Sequence, residues 1–207
     1  MKKTLIYHLY ASEDYRDSVV YNVHSECLKC YKNIFDNIKV VIAVDDLENQ
    51  TIINWAFNWV FDIFRGKPIE TTIRLNTTDR EGLTFYDKVL LNTEDESVFF
   101  FHTKGLTNFY NSKCSQSSIF MWICAIYFYS LDREYDTIDI IEDGYKAMCG
   151  PFLINAFTEG ELEFNKQFFA GAGFWVNLNV LRNLEKCEII PKLKCTGRFF
   201  AEKYPGM

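Results

Sequence analysis

The chain has 207 residues, the length of one large domain or two small ones, and its 48% of hydrophobic and 17% of aromatic residues suffice for a full core. Its net charge of −6 argues against a nucleic-acid surface, which needs clustered Lys and Arg, although a few local donors could still hold an anionic ligand. The seven cysteines are odd in number and irregularly spaced, which excludes a disulfide framework and fits a reduced, cytoplasmic protein.

Two apolar segments are not targeting or membrane signals. The N-terminal run after Lys2 and Lys3 is broken by His8 and followed by acidic residues, so we reject a signal peptide. The longest apolar run, 117–130, has 14 residues and is too short to span a bilayer. We therefore expect a protein without a membrane span.

The first half of the chain alternates predicted strands and helices. A helix start is predicted at Ser12, and Gly66 with Pro68 is expected to end the second helix. The predicted strands are 4–10, 38–44, 69–76 and 97–101, the helices 19–35, 52–63 and 83–92, and the segment 77–82 is a predicted loop. This alternation predicts an α/β fold with a mainly parallel sheet.

The second half is less regular. A buried helix is predicted around Trp122, strands over 137–141 and near 167–177, and a short helix over 179–185. We see no repeat or linker, so residues 1–207 are expected to form a single domain, and the abrupt end at "YPGM" suggests a domain excised from a longer chain.

The residues that follow the predicted strands are the first candidates for a site. In open α/β sheets, ligands bind beyond the carboxyl ends of the strands. If the strands are parallel, one edge of the sheet collects His8, Tyr10 and Ala11, the pair Asp45 and Asp46, and the segments 76–82 and 102–105.

Two of these strand ends are acidic. Asp45 and Asp46 could accept hydrogen bonds from a ribose or base or hold a cation, but they could equally cap the next helix. Asp79 could bind sugar hydroxyls or a metal, and Arg80 with nearby backbone N–H groups could receive a phosphate. A plain surface turn is the competing interpretation of Asp79 and Arg80.

The segment "FFFHTKG" is the sharpest feature. If the strand ends at Phe101, His102 and Lys104 reach the same crevice, and Gly105 permits a tight turn. A cation here would stabilise a diphosphate leaving group. The alternative is an ordinary strand exit with a solvated lysine.

The segment "FFAGAGFWVN" combines glycines with an aromatic pair. Gly171 and Gly173 could let the backbone lie against a sugar ring while Phe174 or Trp175 stacks on it, or the segment could be a strand in an aromatic core. His24, Cys27 and Cys30 share a helix face, but no second cluster completes a zinc site, so packing is the favoured role of these three.

These motifs together resemble small GT-A glycosyltransferases of bacterial surface-polysaccharide clusters and of large algal viruses. The resemblance rests on "YHLYASEDY…VVIAVDD", "FFFHTKGLTN", the Trp122 helix and "FFAGAGFWVN", in that order, and covers most of the chain. It implies one Rossmann-related GT-A domain with a mostly parallel mixed sheet flanked by helices.

The resemblance also implies a function in polysaccharide biosynthesis. A nucleoside diphosphate sugar, with a uridine diphosphate sugar favoured, would donate a hexose or deoxyhexose to a glycan acceptor. The nucleoside would meet His8, Tyr10, Ala11, Asp45 and Asp46. The ribose and diphosphate would lie near Asp79 and Arg80, and the sugar and acceptor near Gly171, Gly173, Phe174 and Trp175.

One departure from the family concerns the metal. The family's D-x-D motif would sit where this chain has His102-Thr103-Lys104, so either Lys104 replaces the cation or Mn²⁺ is held elsewhere, with Asp79 the candidate ligand. Glu202 and Asp143 are the predicted bases for the acceptor hydroxyl. The alternatives are a non-catalytic nucleotide-sugar- or glycan-binding domain and an interaction domain of a polysaccharide-assembly protein.

Overall fold

The computed structural model describes most of the chain. It covers residues 1–77, 80–92, 94, 96–103, 106, 116–132, 136–144, 146–151, 153–158, 161–169 and 173–186, and it describes the side chains of all of these except 80, 153–158 and 161–169.

The described residues form an α/β fold built on a six-stranded sheet. Its strand order is β3-β2-β1-β4-β8-β5, and β6 pairs with β7 in a separate two-stranded sheet. The strands are β1 (Lys2–Ala11), β2 (Asn37–Val44), β3 (Ile69–Leu75), β4 (Glu96–His102), β5 (Met148–Cys149), β6 (Leu153–Thr158), β7 (Glu161–Phe169) and β8 (Phe174–Asn177). The helices are α1 (Val19–Tyr31), α2 (Gln50–Phe64), α3 (Arg80–Phe85), α4 (Gln116–Leu131), α5 (Thr137–Glu142) and α6 (Leu178–Lys186).

The sheet is mostly parallel, as the alternating pattern predicts. Strands β1 to β4 all run in the same direction, while β8 is antiparallel to both β4 and β5. Each run that we interpreted as a strand in the first half of the chain is a strand here. The central strands β1, β2 and β4 are largely buried, which suits their β-branched and aromatic residues, whereas the edge strand β3 alternates and has no buried residue. The predicted α/β class with a mostly parallel central sheet is confirmed.

The side chains of β1 alternate between two apolar layers. Tyr7 and Leu9 belong to the larger core cluster, to which α1, α2, α4 and α5 contribute. Ile6 belongs to the smaller cluster on the other face, which includes Phe85 at the end of α3 and Leu181 of α6. Successive residues of a strand point to opposite faces, so His8 lies on the face of Ile6, toward α3.

The helix boundaries follow from local capping. Ser18, not Ser12, starts α1, since its hydroxyl accepts a hydrogen bond from the Val20 N–H. Ser12 precedes a short 3-10 turn and makes no side-chain cap. Helix α2 ends as predicted, with Gly66 at φ 85° just beyond it, a conformation that favours glycine.

Two segments differ from their predicted structure. Residues 137–141 are part of helix α5 and not a strand, because Ile138 and Ile141 are buried three positions apart, which is helical spacing. The predicted loop 77–82 is shorter than expected, since α3 begins at Arg80 and continues as a π-helical turn to Leu90.

Helix α4 is apolar on all sides and carries no charged residue. It has 16 residues, and across the described ranges no helix combines the length and the hydropathy needed to cross a bilayer.

Candidate functional site

The parallel strands bring their carboxyl ends to one edge of the sheet. Ala11 at the end of β1 pairs with Val44 of β2, and Val44 pairs with Leu75 of β3. On the other side of β1, His8 pairs with His102 at the end of β4. We call the residues at and just beyond these four strand ends the rim.

Asp45 is the centre of a hydrogen-bonded group at the rim. One carboxylate oxygen accepts from the Tyr10 hydroxyl at 2.7 Å, and the other accepts from the Asn76 amide at 3.0 Å. Asn76 is itself fixed, because its backbone N–H donates to the Val44 carbonyl at 2.7 Å. Asp45 is exposed, and each oxygen keeps a lone pair for a further donor.

The environment of Tyr10 keeps its hydroxyl protonated. Partial burial, and then the hydrogen bond to the neighbouring Asp45 carboxylate, raise the pKa of Tyr10 to about 12. The phenol therefore remains a donor to Asp45 at neutral pH and holds that carboxylate in place.

The structure decides between the two interpretations of the acidic pair. Neither aspartate caps α2, because Asn49 is the cap, its side chain accepting from the Ile52 N–H at 3.2 Å. The side chain of Asp46 instead accepts a hydrogen bond from the Glu48 N–H at 2.9 Å, within the loop that precedes α2. Among the described residues, Asp45 and not Asp46 is hydrogen-bonded to neighbouring strand ends.

Thr103 joins the exits of β1 and β4. Its hydroxyl accepts from the Tyr10 N–H at 3.1 Å, and both its hydroxyl and its N–H lie within hydrogen-bond distance of the His8 carbonyl, at 3.2 and 3.0 Å. The Tyr10 carbonyl in turn accepts from the Tyr21 hydroxyl of α1 at 2.7 Å. Thr103 thus fixes the backbone directly before Lys104.

The two rim histidines share one face of the sheet. Strand β4 continues through His102, one residue further than predicted, because His102 pairs with His8 in the ladder. Both side chains are buried, with 2% of His8 and 7% of His102 exposed. The Nδ1 atom of His8 lies 2.8 Å from the Thr84 hydroxyl of α3.

An adjoining polar group on α3 and β3 was not identified from the sequence. Arg74 of β3 donates to the Thr84 hydroxyl at 3.4 Å and forms an ion pair with Asp87 at 3.0 Å. Glu81 is buried on the same short helix. The alternation of β3 could have placed Arg74 on a helix-covered face, but nothing in the sequence links it to Thr84.

The described members of the predicted sugar and acceptor set, Gly173, Phe174 and Trp175, lie in the core. Phe174 and Trp175 have no exposed surface, Phe174 packs edge-on against Phe85 at 5.6 Å, and the Trp175 indole donates to the Ser130 carbonyl at 2.7 Å. A fully buried ring cannot stack on a bound sugar, so this assignment is corrected. A Cβ on Gly173 would come within 2.2 Å of Ile126, so this glycine serves close packing.

Asp143 lies at the opposite edge of the sheet. It follows helix α5, whose Glu142 forms an ion pair of 2.6 Å with Lys3 at the start of β1. The carbonyl of Ile141 accepts from Asn177, which pairs with Ser97 near the start of β4. Asp143 therefore cannot act as a base at the rim, and this prediction is corrected.

Several of the predicted site residues are not among those that the structure describes. Asp79, Lys104, Gly171 and Glu202 lie outside the described residues, and the side chain of Arg80 at the start of α3 is likewise not described. Ala11 is placed at the end of β1, but its side chain is buried in the larger core, so only its backbone could meet a ligand.

The donor set at the end of β4 does not suit Mn²⁺. The sequence there offers no carboxylate, and the Thr103 hydroxyl is engaged with β1. Within the described ranges, no group of three or more His, Cys, Asp or Glu side chains is arranged to hold a metal ion, and this includes the region of His24, Cys27 and Cys30.

Comparisons with known proteins add little. No protein-family model matches the chain, and no curated protein is significantly similar to it in sequence. Among solved structures, it is similar to the 4-diphosphocytidyl-2C-methyl-D-erythritol synthase of Anaerococcus prevotii DSM 20548, with 14% identity over 94% of this chain and 80% of that one and a TM-score of 0.41. A likeness at this level carries no argument about activity.

Proposed function

We propose that this chain is a GT-A-like glycosyltransferase that moves a hexose or deoxyhexose from a uridine diphosphate sugar to a glycan acceptor. The observation that carries the proposal is the hydrogen-bonded group of Tyr10, Asp45, Asn76 and Thr103 at the carboxyl edge of the sheet. Ligands of open α/β sheets bind at this edge. The choice of a nucleotide sugar rests on the motif resemblance.

Asp45 is the group proposed to recognise the nucleoside. Its carboxylate accepts from two neutral donors, Tyr10 and Asn76, and none of the ion pairs found among the described side chains includes it. Because it is exposed and not neutralised by those cations, it can accept further hydrogen bonds from a ribose hydroxyl or a base N–H.

Lys104 is the group proposed to receive the departing diphosphate. It follows Thr103 directly in the sequence, and the backbone at Thr103 is held by β1 on the same edge as Asp45. An ammonium can offset the charge that develops on the leaving group without an assembled set of metal ligands. We derive no step through a metal, since the donor set at the end of β4 does not suit one.

The acceptor hydroxyl must lose its proton during transfer. With Asp143 at the opposite edge, Glu202 is the remaining predicted base. That same placement of Asp143 favours one alternative, a non-catalytic domain that binds nucleotide sugars.

The proposal is tested by binding and turnover in parallel. We expect a uridine diphosphate sugar to raise the Tm of the chain by mass action and to release uridine diphosphate when glycan acceptors are added. Lys104→Met should remove release of the diphosphate and leave the Tm of the free protein unchanged, and Lys88→Met, which removes a surface ion pair with Glu70, is the matched control. A rise in Tm with a nucleotide sugar but no release of uridine diphosphate with any acceptor would support the non-catalytic alternative. No rise in Tm with any nucleotide sugar would contradict both the glycosyltransferase and the non-catalytic binding domain.

A further inference from the structure

A groove between α1 and α4 contains three cysteines. The cavity has a volume of about 460 Å³, and its walls include Cys27 and Cys30 of α1 and Cys124 of α4, together with the aromatic side chains of Tyr31 and Phe128. Volumes of this order are typical of sites for small molecules. None of these residues belongs to the rim, so the groove is separate from the site proposed above.

Two of the thiols come from opposite sides of the helix interface. Cys27 and Cys124 lie on helices that are far apart in the sequence but pack against each other, and both line the groove. Cys124 is near enough to help raise the pKa of Cys27. Cys124 is exposed, whereas Cys27 is half-buried. An incoming reagent therefore reaches Cys124 before it reaches Cys27.

We propose that Cys27 and Cys124 form a dithiol site that reacts with small disulfides and closes into a disulfide joining α1 to α4. In the first step, the Cys124 thiolate attacks one sulfur of the small disulfide, which forms a mixed disulfide and releases one small thiolate. In the second step, Cys27 loses its proton and attacks the Cys124 sulfur, which expels the second small thiolate. Two protein thiols are oxidised, one disulfide is reduced to two thiols, and the two protons pass to the released thiolates.

Cys30 is the third thiol of the groove and a poorer partner for Cys27. Residues three apart on a helix have Cβ atoms about 5–6 Å apart, whereas a disulfide needs about 3.5–4.5 Å. A Cys27–Cys30 bond would therefore distort α1, while a Cys27–Cys124 bond would join two thiols of one groove between packed helices. Cys30 is consequently the matched control, because it is exposed in the same groove.

Burial and the proximity of Cys124 raise the pKa of Cys27 to about 12. Cys27 is thus a weak nucleophile on its own and acts as the second thiol, at a sulfur that the first step has already activated. The closed disulfide would link two helices that are distant in the sequence, and cross-links of long loops raise stability.

The test treats the purified, reduced chain with oxidised glutathione and analyses it by intact mass and by peptide mapping without reduction. In the wild type, peptide mapping should yield a peptide that links Cys27 to Cys124 with the loss of two hydrogens from this pair, and the Tm should rise by about 5–15 °C, both reversed by dithiothreitol. Cys30→Ser should behave as the wild type. In the Cys27→Ser variant, the reaction should stop at the mixed disulfide, with one glutathione bound to Cys124.

Three results would overturn the proposal. One is a stable glutathione adduct on Cys124 of the wild type, which would mean that Cys27 does not reach it. Another is a Cys27–Cys30 link. The third is a wild type whose Cys27 and Cys124 react only after unfolding in urea. Because each of these is read on the wild type, the test does not depend on whether the variants fold.

Discussion

Both edges of the sheet carry polar side chains, but their carboxylates differ in burial and in hydrogen-bond partners. At the amino edge, the Glu96 carboxylate is 1% exposed and accepts from Thr4 and from Asn92, the latter at 2.6 Å, with Lys39 3.9 Å away. At the carboxyl edge, Asp45 is exposed, and its hydrogen-bond partners among the described residues are the neutral donors Tyr10 and Asn76.

Cavity size does not separate these regions. A cavity of about 460 Å³ lies at the amino edge beside Lys2, Glu70 and Glu96, as large as the cysteine-lined groove. What differs is how the charges are satisfied. Glu96 already has internal donors and a nearby cation, which is the pattern of a structural group, whereas Asp45 keeps capacity for a ligand.

Trp175 lies between the two edges, and its substitution should cause the largest loss of stability, as expected for a purely structural residue. Trp175→Ala should lower the free energy of unfolding by about 3–5 kcal/mol, because it removes a fully buried ring and its hydrogen bond to Ser130. Urea denaturation measures the loss. If stability were unchanged and only acceptor use suffered, Trp175 would be a site residue after all.

The amino edge should show the next largest effect. Glu96→Ala should cost about 3 kcal/mol of unfolding free energy, since Thr4 and Asn92 lose a charged hydrogen-bond acceptor in a buried position. Affinity for a nucleotide sugar should not change. Glu70→Ala, which removes an exposed carboxylate paired with Lys88, should cost less than about 1 kcal/mol. Weaker binding of the nucleotide sugar by Glu96→Ala would contradict the purely structural role of the amino edge.

Thr103 should affect both stability and binding. Thr103→Val keeps the shape of the side chain but leaves the Tyr10 N–H without its acceptor, at a cost of about 1–3 kcal/mol. Because this backbone leads into Lys104, donor affinity should fall as well. Thr103→Ser, which keeps the hydroxyl, should recover most of both quantities in the same denaturation and binding measurements.

The smallest expected effect is the alkaline loss of stability from Tyr10. Its folded-state pKa of about 12 lies above the ordinary value of 10, so the folded state holds this proton more tightly than the unfolded chain does. The contribution is complete below pH 10 and disappears as the pH rises from 10 to 12. Tyr10→Phe should therefore flatten the fall of unfolding free energy over this range in denaturant titrations. An identical slope in wild type and variant would show that the phenol is not perturbed.

Much of the first half of the fold can be predicted from the sequence. Runs such as 38–44 are continuous and β-branched, and the helix after Asn49 ends in the expected Gly66 and Pro68. The segment 137–141 could not be predicted in the same way, because a short apolar run fits a helix turn as well as a strand. The error over this segment also misplaced Asp143.

The site is predictable only where it depends on strand order. Asp45 follows a strand directly, and parallel pairing brings it to the rim. Thr84 and Arg74 meet through the packing of α3 on the sheet, which no local pattern encodes. The burial of Phe174 and Trp175 on opposite faces of β8 is likewise a tertiary property, since glycines beside aromatic residues occur both in cores and in binding sites.

The proposed function requires the carboxyl edge of the sheet, and not the amino edge, to bind the nucleotide sugar. Calorimetric titration of uridine diphosphate sugars into the wild type, Asp45→Asn and Glu70→Gln tests it directly, because the two variants remove one exposed carboxylate at each edge. We predict that Asp45→Asn weakens binding tenfold or more, about 1.4 kcal/mol or above, while Glu70→Gln binds as the wild type does. Equal affinity for the wild type and Asp45→Asn, or a loss of affinity confined to Glu70→Gln, would show that the donor does not bind at the carboxyl edge.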